Sequence, residues 1–295
     1  MSETSAVRPL PATGPNAEQI EYWNETSGPK WVALADLLDA QIGPLGLLAM
    51  ERAAVRAGER VLDVGCGCGH TTLELARRVG PRGQVRGLDI SAVMLARARQ
   101  RAAEQRAGGV DFVLADAQTA ALERGRFDLV FSRFGVMFFA DPPAAFANLR
   151  RTLAPGGRLA FVCWQPLPVN PWMALPLAAA APLIPMPAPP PAGAPGPFAF
   201  GDPERVARIL AQAGFSDVSL ESVETKLSVA GGGGLDAAVS FLLEGVGPTS
   251  AALREAGEAS REAVRRAVRT ALEPCLTPRG VEMGAAVWIA TARSA

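Results

Sequence analysis

Five short apolar runs alternate with helix-forming segments in the first half of the chain, and this alternation restricts the fold more than any other feature. The runs have the length of buried strands and cover 60–64, 84–89, 110–114, 127–132 and 158–164. The segments between them have helical spacing and cover 71–79, 92–106 and 143–153. This order predicts an α/β fold with a mostly parallel sheet, helices on both faces and right-handed crossovers.

Changes in composition predict five parts. We expect a mobile leader at 1–19, a helical cap at 20–54, a sheet-and-helix core at 55–165, a proline-rich segment at 166–201 and the rest of the sheet at 202–295, with a helical insertion at 235–279. Within the cap, apolar residues recur at helical steps from Trp31 to Leu48 but are interrupted by Gly43-Pro44, which predicts two short helices. Two later strands are expected at 217–229 and 281–292.

The proline-rich segment admits two interpretations. Residues 159–201 carry no charged side chain but hold twelve of the 25 prolines, which removes the backbone donors that a membrane span requires. The segment is either a solvated linker or a lid over an apolar pocket. The lid is favoured because several large apolar side chains would be costly to expose. They are Trp172, Leu183, Ile184, Met186, Phe198 and Phe200.

Charge and cysteine content exclude several classes of partner. Lys plus Arg and Asp plus Glu both number 29, so no net field favours a nucleic acid or an acidic membrane. The four cysteines (66, 68, 163 and 275) are too few for a disulfide framework, and residues 1–19 lack the apolar run of a secretory signal. The expected location is the cytoplasm.

A strand, three alternating glycines and a helix follow one another in the segment 61–70. Gly65, Gly67 and Gly69 allow close approach of a ligand to the backbone, and the next helix presents free N–H groups. A dinucleotide fingerprint would need Gly or Ala where this chain has His70 or Thr72, so a pyrophosphate ligand is disfavoured. The loop therefore predicts another nucleoside-type ligand.

Acidic residues lie at the ends of three successive predicted strands. Asp63 precedes the glycine loop and could attract an ammonium group, directly or through water. Asp89 ends the second strand, where a carboxylate can accept ribose hydroxyls, and Asp116 ends the third, where it could meet an adenine edge. Together they describe a ligand with an amino group, a ribose and a base, but no phosphate.

These segments resemble, in order, motifs of the class I S-adenosylmethionine-dependent methyltransferases. The glycine loop is similar to their motif I, and four further segments (87–91, 115–118, 127–132 and 153–157) are similar to later motifs and turns. The resemblance implies a Rossmann-like, seven-stranded sheet, with S-adenosyl-L-methionine as cofactor and S-adenosyl-L-homocysteine as product. Residues 132–139 make the chain most similar to the ubiquinone/menaquinone biosynthesis methyltransferase group.

The resemblance also implies a set of cofactor-binding residues. Two aromatic residues of the N-terminal helices would cover the cofactor, with ordinary helix packing as the alternative, and the rest belong to the motifs. The full set is Tyr22, Trp31, Asp63, Gly65, Cys66, Gly67, Gly69, Asp89, Ile90, Met94, Asp116, Ala117, Gln118 and Ser132.

The implied reaction is an in-line displacement from the sulfonium to a small, hydrophobic or aromatic metabolite, for which the protein mainly aligns two reactants and excludes water. His70 is either a general base or only a backbone donor with a packed side chain. Arg133 either holds an acidic group of that metabolite or closes a surface ion pair. The predicted substrate-binding residues are Arg133, Phe134, Met137, Trp164 and Phe200.

The sequence admits four further interpretations. Cys66 and Cys68 do not have the spacing of a structural zinc site, so no metal is expected. Asp141-Pro142-Pro143 resembles part of a motif of amino-group methyltransferases but lies too far beyond the fourth strand, which favours a helix start. A protein of this fold that binds the cofactor without methyl transfer, and an NAD-dependent oxidoreductase, remain alternatives.

Overall fold

A computed structural model describes residues 8–191 and 193–294 of the chain. Seven long strands form one sheet in the order β3-β2-β1-β4-β5-β7-β6. Their bounds are β1 Arg60–Val64, β2 Gln84–Asp89, β3 Val110–Leu114, β4 Phe127–Arg133, β5 Leu153–Trp164, β6 Phe215–Ser228 and β7 Gly280–Ser294. A two-residue strand, Leu276–Thr277, pairs with the start of β7.

The first five strands are parallel, and β7 lies antiparallel between β5 and β6. Strand β1 is central to the first half of the sheet, since Asp63 pairs with Gly87 of β2 on one side and with Phe131 of β4 on the other. The α/β, Rossmann-like, seven-stranded and mostly parallel fold predicted from the sequence is therefore confirmed.

Eleven α-helices occur in the described residues. They are α1 Ala17–Glu21, α2 Gly28–Ala33, α3 Ala35–Arg52, α4 His70–Val79, α5 Ala92–Glu104, α6 Pro142–Arg150, α7 Pro171–Ala180, α8 Pro203–Gln212, α9 Leu235–Glu244, α10 Pro248–Ala252 and α11 Glu258–Leu272. Asp141 caps α6, accepting a hydrogen bond from the N–H of Ala144, as its sequence predicted. Helices α9 to α11 occupy the range expected for the helical insertion. No helix in the described part of the chain has both the length and the apolar character needed to cross a bilayer.

The break predicted at Gly43-Pro44 is wrong, because α3 continues from Ala35 to Arg52 with Pro44 inside it. The missing proline N–H leaves only the carbonyl of Ala40 without its helical partner, and Ala40 is exposed, so water can bond to it. Burial then holds the helix together. The buried apolar residues of α3 include Leu38, Ile42, Leu45, Ala49 and Met50.

The leader expected at 1–19 does not extend to residue 19. Residues 1–7 lie outside the described residues, but α1 begins at Ala17 and Asn16 is buried. The physical reason is polar rather than apolar: the Asn16 amide is hydrogen-bonded to Asp116 at the end of β3. Residues 16–19 therefore belong to the helical cap, although they lack periodic apolar positions.

The proline-rich segment packs in some places and is exposed in others. Trp172, Ile184 and Phe200 are buried, whereas Leu183 and Met186 are 41% and 38% exposed. Residues 186–191, 193, 194 and 196–199 border the main cavity, and residue 192 lies outside the described residues. Residues 185–191 are all exposed, so the segment is packed at its two ends and open to solvent between them.

Candidate functional site

A cavity of about 720 Å³ opens at the carboxyl ends of β1, β2 and β4, beneath the N-terminal helices. Ligands of open α/β sheets bind at this edge. One end, here called the loop end, is lined by Gly65, Gly67, Asp89, Ile90, Met94 and Asp116. The other, here called the aromatic end, is lined by Phe134, Met137, Trp164, Leu167, Trp172 and Met173.

The glycine loop takes a backbone path that other residues rarely adopt. Gly65, Gly67 and Gly69 have φ values of +65°, +56° and +84°, all in the left-handed region. Gly65 and Gly67 line the cavity, but Gly69 does not. A Cβ on Gly69 would lie 2.9 Å from the Cβ of Ala98 on α5, so Gly69 permits helix packing instead of ligand approach.

Asp89 ends β2 with its carboxylate held in place. One oxygen accepts a hydrogen bond from the N–H of Gly67 at 2.8 Å, and the other accepts from the N–H of Ser91 at 2.8 Å. Burial raises the pKa of Asp89, and the backbone hydrogen bonds counteract that effect. Each carboxylate oxygen retains acceptor capacity, so the group could also accept hydroxyls from a sugar.

Asp63 lies behind the loop and does not line the cavity. Its Oδ2 accepts hydrogen bonds from the hydroxyls of Thr71 and Thr72, both at 2.7 Å, while Oδ1 is buried without a partner among the described residues. Burial raises the pKa of Asp63 to about 6, against the opposing effect of the two threonines. An unpaired buried carboxylate oxygen fits a cationic ligand group that approaches the loop.

Asp116, at the end of β3, is held by the N-terminal segment. Its two oxygens accept hydrogen bonds from the Asn16 amide at 3.0 and 2.9 Å, and the same amide contacts Gln118 at 3.2 Å. Gln118 accepts a further bond from the N–H of Asp141 and does not line the cavity. A second asparagine, Asn24, bridges the carbonyl of Ile90 and the N–H of Ala92.

Aromatic side chains of the N-terminal helices cover the loop end. Tyr22 and Trp31, which the sequence analysis selected, both line the cavity together with Trp23. The ring of Trp23 contacts those of Tyr22, Trp31 and Phe138 edge to face, with centroids 5.0–6.0 Å apart. The two asparagine contacts fix the segment that carries these rings.

A buried network of ionic groups joins α3, α4, α5 and β4. Arg133 donates to Asp39 Oδ1 at 3.0 Å, and Arg101 donates to Asp39 Oδ2 at 2.7 Å. Both Arg133 and Asp39 line the cavity. Burial opposes ionisation of Asp39, but Arg133, Arg101 and His70 together lower its pKa. Arg133 therefore forms an ion pair, one of the two roles considered for it, but at the cavity instead of on the surface.

His70 touches this network and does not line the cavity. Its Nδ1 lies 3.4 Å from a guanidinium nitrogen of Arg133, which can only donate, so the proton of a neutral ring resides on Nε2. Burial lowers the pKa of His70, which favours the neutral ring. The ring also packs close to Gly43, where a Cβ would approach it to 3.2 Å.

Stacked rings form the aromatic end. Phe134 and Trp164 lie 4.2 Å apart and nearly parallel, and Trp164 contacts Trp172 at 5.2 Å. Met137 lines the same end, as expected. Phe200 does not: it is fully buried and packs against Phe146 and Phe161 in the core. Its role as a substrate-binding residue is thus corrected, because the turn before α8 directs the ring inward.

The site residues predicted from the sequence lie partly at the cavity surface and partly behind it. Six of them lie behind it: Asp63, Gly69, His70, Gln118, Ser132 and Phe200. Ser132 supports the loop, since its hydroxyl donates to the carbonyl of Val64 and accepts from the N–H of Gly135. The remaining ones line it: Tyr22, Trp31, Gly65, Cys66, Gly67, Asp89, Ile90, Met94, Asp116, Ala117, Arg133, Phe134, Met137 and Trp164.

Several residues of the site were missed. Asp39 lies at helical spacing from the buried residues Ile42 and Gly46, and a carboxylate on that face of α3 is the signal that could have found it. Asn16 lies in a stretch without periodicity and gives no signal.

The four cysteines are free, and burial raises the pKa of Cys68 to about 12. Within 8–191 and 193–294, His, Cys, Asp and Glu form no cluster of three that could hold a metal.

Comparison with known proteins identifies the central part of the chain. Residues 61–157 match the family model described as "Methyltransferase domain". Aklanonic acid methyltransferase of Streptomyces sp. is 36% identical over 118 residues, which are 40% of this chain and 54% of the relative. Nocamycin O-methyltransferase of Saccharothrix syringae is 34% identical over 183 residues, 59% of this chain and 65% of the relative.

A third relative belongs to the group that the sequence resembled. The ubiquinone/menaquinone biosynthesis C-methyltransferase of Pseudomonas putida is 40% identical over 111 residues, 37% of this chain and 43% of the relative. The chain thus spans about half the length of the curated relatives it matches. Among solved structures, Haemonchus contortus phosphoethanolamine N-methyltransferase 2 has a TM-score of 0.53 at 18% identity, over 85% of this chain and 53% of that one.

These matches agree with the strand order and the glycine loop. Residues 61–157 match a methyltransferase domain, in agreement with the class I S-adenosylmethionine-dependent motifs identified in the sequence. Its similarity to the ubiquinone/menaquinone group is distant and extends equally to small-molecule O-methyltransferases.

Proposed function

We propose that the protein binds S-adenosylmethionine at the loop end and transfers its methyl group to a small, hydrophobic or aromatic metabolite. When bound, this cofactor supplies a methyl group already activated by a sulfonium. The observation that carries the proposal is the continuity of one cavity from the carboxylate of Asp89 to the stacked rings of Phe134 and Trp164. Cofactor and acceptor would then meet without a barrier between them.

The loop end fits an adenosyl amino acid residue by residue. Asp89 would accept the ribose hydroxyls, and Asp116 with Ala117 would border the base. The buried, unpaired Oδ1 of Asp63 fits an ammonium group near Gly65. A diphosphate, by contrast, would bring further negative charge towards Asp63 and Asp89, which disfavours a nicotinamide dinucleotide.

The aromatic end supports an apolar acceptor. Its residues offer flat, apolar surfaces, and residues 186–191, 193, 194 and 196–199 border the same space, which supports our interpretation of this segment as a lid. The curated relatives above are named for aklanonic acid, nocamycin and ubiquinone or menaquinone, all small molecules. We propose the same class of acceptor for this chain.

The protein's own contribution is alignment and exclusion of water. The rings of Tyr22, Trp23 and Trp31 would cover the cofactor, and the lid would cover the acceptor. Holding two reactants in near-attack geometry can lower a barrier by about 7–11 kcal/mol. His70, behind Arg133, is proposed to orient that arginine and not to remove a proton.

Calorimetric titration with S-adenosylhomocysteine, with NADH as the matched control, tests the cofactor proposal. We expect heat of binding and a raised melting temperature with the first ligand alone. Transfer is then tested with radiolabelled S-adenosylmethionine and a panel of phenols, quinols and carboxylic acids. Binding without transfer to any acceptor would support the non-methylating alternative, and preference for NADH would contradict the proposal.

A further inference from the structure

We propose that Arg133 is the anchor for a carboxylate at the point where the loop end and the aromatic end of the cavity meet. This inference rests on the proposed function and deepens it, because it assigns the charge of a group on one of the two ligands. Two sources offer that chemistry: the amino-acid carboxylate of the cofactor, or an acidic group on the acceptor.

Arg133 has more hydrogen-bond donors than its partners in the protein use. A guanidinium has five N–H donors. The hydrogen bonds of Arg133 to Asp39 and His70 involve one Nη nitrogen each. Its side chain is only 9% exposed, yet it lines the cavity. Donors therefore remain on a buried guanidinium at the cavity surface, where a planar anion can bind through two parallel hydrogen bonds.

The buried charged groups around Arg133 do not balance. Asp39 accepts from Arg133 through one oxygen and from Arg101 through the other, so one carboxylate is shared by two guanidinium groups. Asp36, the further partner of Arg101, is 83% exposed and contributes little because water screens it. The network of Asp39, Arg133 and Arg101 thus carries an excess positive charge, and the buried carboxylate of Asp63 interacts electrostatically with Arg133.

Asp63 and Arg133 are placed so that they could pair with the ammonium and the carboxylate group of one amino-acid ligand. Asp63 lies under the loop at the end of β1, and Arg133 ends the neighbouring strand β4. Asp89 ends β2 on the other side of β1, so two strand spacings, about 10 Å, separate it from Arg133. A ligand with its ribose at Asp89 and its ammonium near Asp63 would extend its carboxylate towards Arg133. An acidic acceptor stacked on Phe134 would reach the same guanidinium.

The structure also shows how Arg133 is kept in place. Helix α3 passes close to it, since a Cβ on Gly46 would lie 3.0 Å from the Arg133 Cδ. Neutral His70 accepts from the guanidinium on one side and Asp39 accepts on the other. With two fixed partners, the side chain loses little further freedom when it binds an anion.

The experiment uses pairs of ligands that differ only in the carboxylate. S-adenosylhomocysteine is compared with its decarboxylated analogue, 5′-deoxy-5′-(3-aminopropylthio)adenosine, which keeps the ammonium group. For the acceptor side, 2-naphthoate is compared with 2-naphthamide. Affinities are measured by calorimetry on the full chain and on Arg133→Met and Arg133→Lys. The control is Arg97→Met on α5, because among the described residues Arg97 pairs with Glu104 alone and lies outside the cavity lining.

If the cofactor supplies the carboxylate, Arg133→Met lowers S-adenosylhomocysteine affinity about 10- to 100-fold, the range for a charge-assisted hydrogen bond. The analogue without the carboxylate should bind as before, which also shows that the variant is folded. If the acceptor supplies it, the loss falls on 2-naphthoate alone. Arg133→Lys should retain part of the affinity, and Arg97→Met all of it.

Equal affinities of wild type and Arg133→Met for both carboxylate ligands would overturn the inference, while the proposed function would stand if the adenosine ligands still bind. Failure of both adenosine ligands to bind the wild type would instead contradict the proposed function. In that case the 2-naphthoate comparison alone decides whether Arg133 anchors an anion.

Discussion

Gly65 and Gly135 are in direct backbone contact across the end of β1. A Cβ built on Gly65 would lie 2.7 Å from the Cα of Gly135, and one on Gly135 would lie 2.8 Å from the Cα of Gly65. The loop after β1 and the turn after β4 can approach so closely only because neither residue has a side chain. This contact brings the glycine loop and the aromatic end into one cavity.

Gly135→Ala should therefore separate the two turns. Gly135 has a φ of −86°, which alanine tolerates, so the effect would come from crowding and not from backbone strain. We expect a loss of about 1–3 kcal/mol in the free energy of unfolding and weaker S-adenosylhomocysteine binding. Denaturant unfolding and calorimetry measure both.

Gly108→Ala is the matched control, because a Cβ there would meet nothing within 4 Å and its φ is not positive. It should leave both measurements unchanged. Unaltered stability and affinity in Gly135→Ala would show that the contact is not needed for the site.

The strands and the loop end could be predicted because each residue's role there depends on local sequence. Asp89 follows a strand whose pattern is visible, and Gly65, Gly67 and Gly69 mark a turn on their own. The partners of Asp39 and Asn16 could not be found in this way. Asp39 functions through Arg133, 94 residues away, and Asn16 through Asp116, 100 residues away, and no periodicity indicates either contact.

Asn16→Ala tests whether the N-terminal segment fixes the loop end. The change removes the donors to Asp116 and Gln118 and the acceptor for the N–H of Ala140. Since these groups are largely buried, we expect unfolding to become easier by about 1–3 kcal/mol. S-adenosylhomocysteine affinity should also fall, because the rings above the loop end lose a fixed support.

The comparison for Asn16 is Gln100→Ala, which removes an exposed amide bonded to Glu104 on the surface of α5. It should change stability by less than about 0.5 kcal/mol. If Asn16→Ala behaves like Gln100→Ala in urea unfolding and in ligand titration, the N-terminal segment does not support the site.

Asp63 should link stability to pH. Its pKa in the folded protein, about 6, lies above the ordinary value of 3.8, so the folded state binds this proton more tightly than the unfolded state. Its favourable contribution is complete at low pH and is lost as the pH rises through 6. The difference is on the order of 3 kcal/mol. Asp63→Asn should therefore flatten the stability profile between pH 4 and pH 7.

The same carboxylate should report on the ligand's ammonium group. At pH 6 about half of the Asp63 side chains are protonated, and a nearby cation favours the ionised form. Binding of S-adenosylhomocysteine should then release a fraction of a proton, measured by calorimetry in buffers of different ionisation enthalpy. Asp63→Asn should release none, and equal release in both proteins would contradict the assignment.

Substitution of His70 distinguishes an orienting role from general-base catalysis. The neutral ring accepts from Arg133 through Nδ1, and glutamine can supply an acceptor oxygen in its place. We expect His70→Gln to keep S-adenosylhomocysteine affinity and to change the rate of methyl transfer by less than about fivefold, whereas loss of a general base costs about 10²- to 10⁴-fold.

His70→Ala removes the acceptor and should weaken carboxylate binding at Arg133 by about threefold to tenfold, the range for one hydrogen bond. The two variants are compared by calorimetry with S-adenosylhomocysteine and with 2-naphthoate, and by single-turnover transfer to an acceptor found in the panel. A pH–rate profile adds a second criterion. An acid limb that is present in the wild type and absent from His70→Gln, together with a rate loss beyond 100-fold, would assign the proton transfer to His70. Retention of both rate and profile would leave it the partner that orients Arg133.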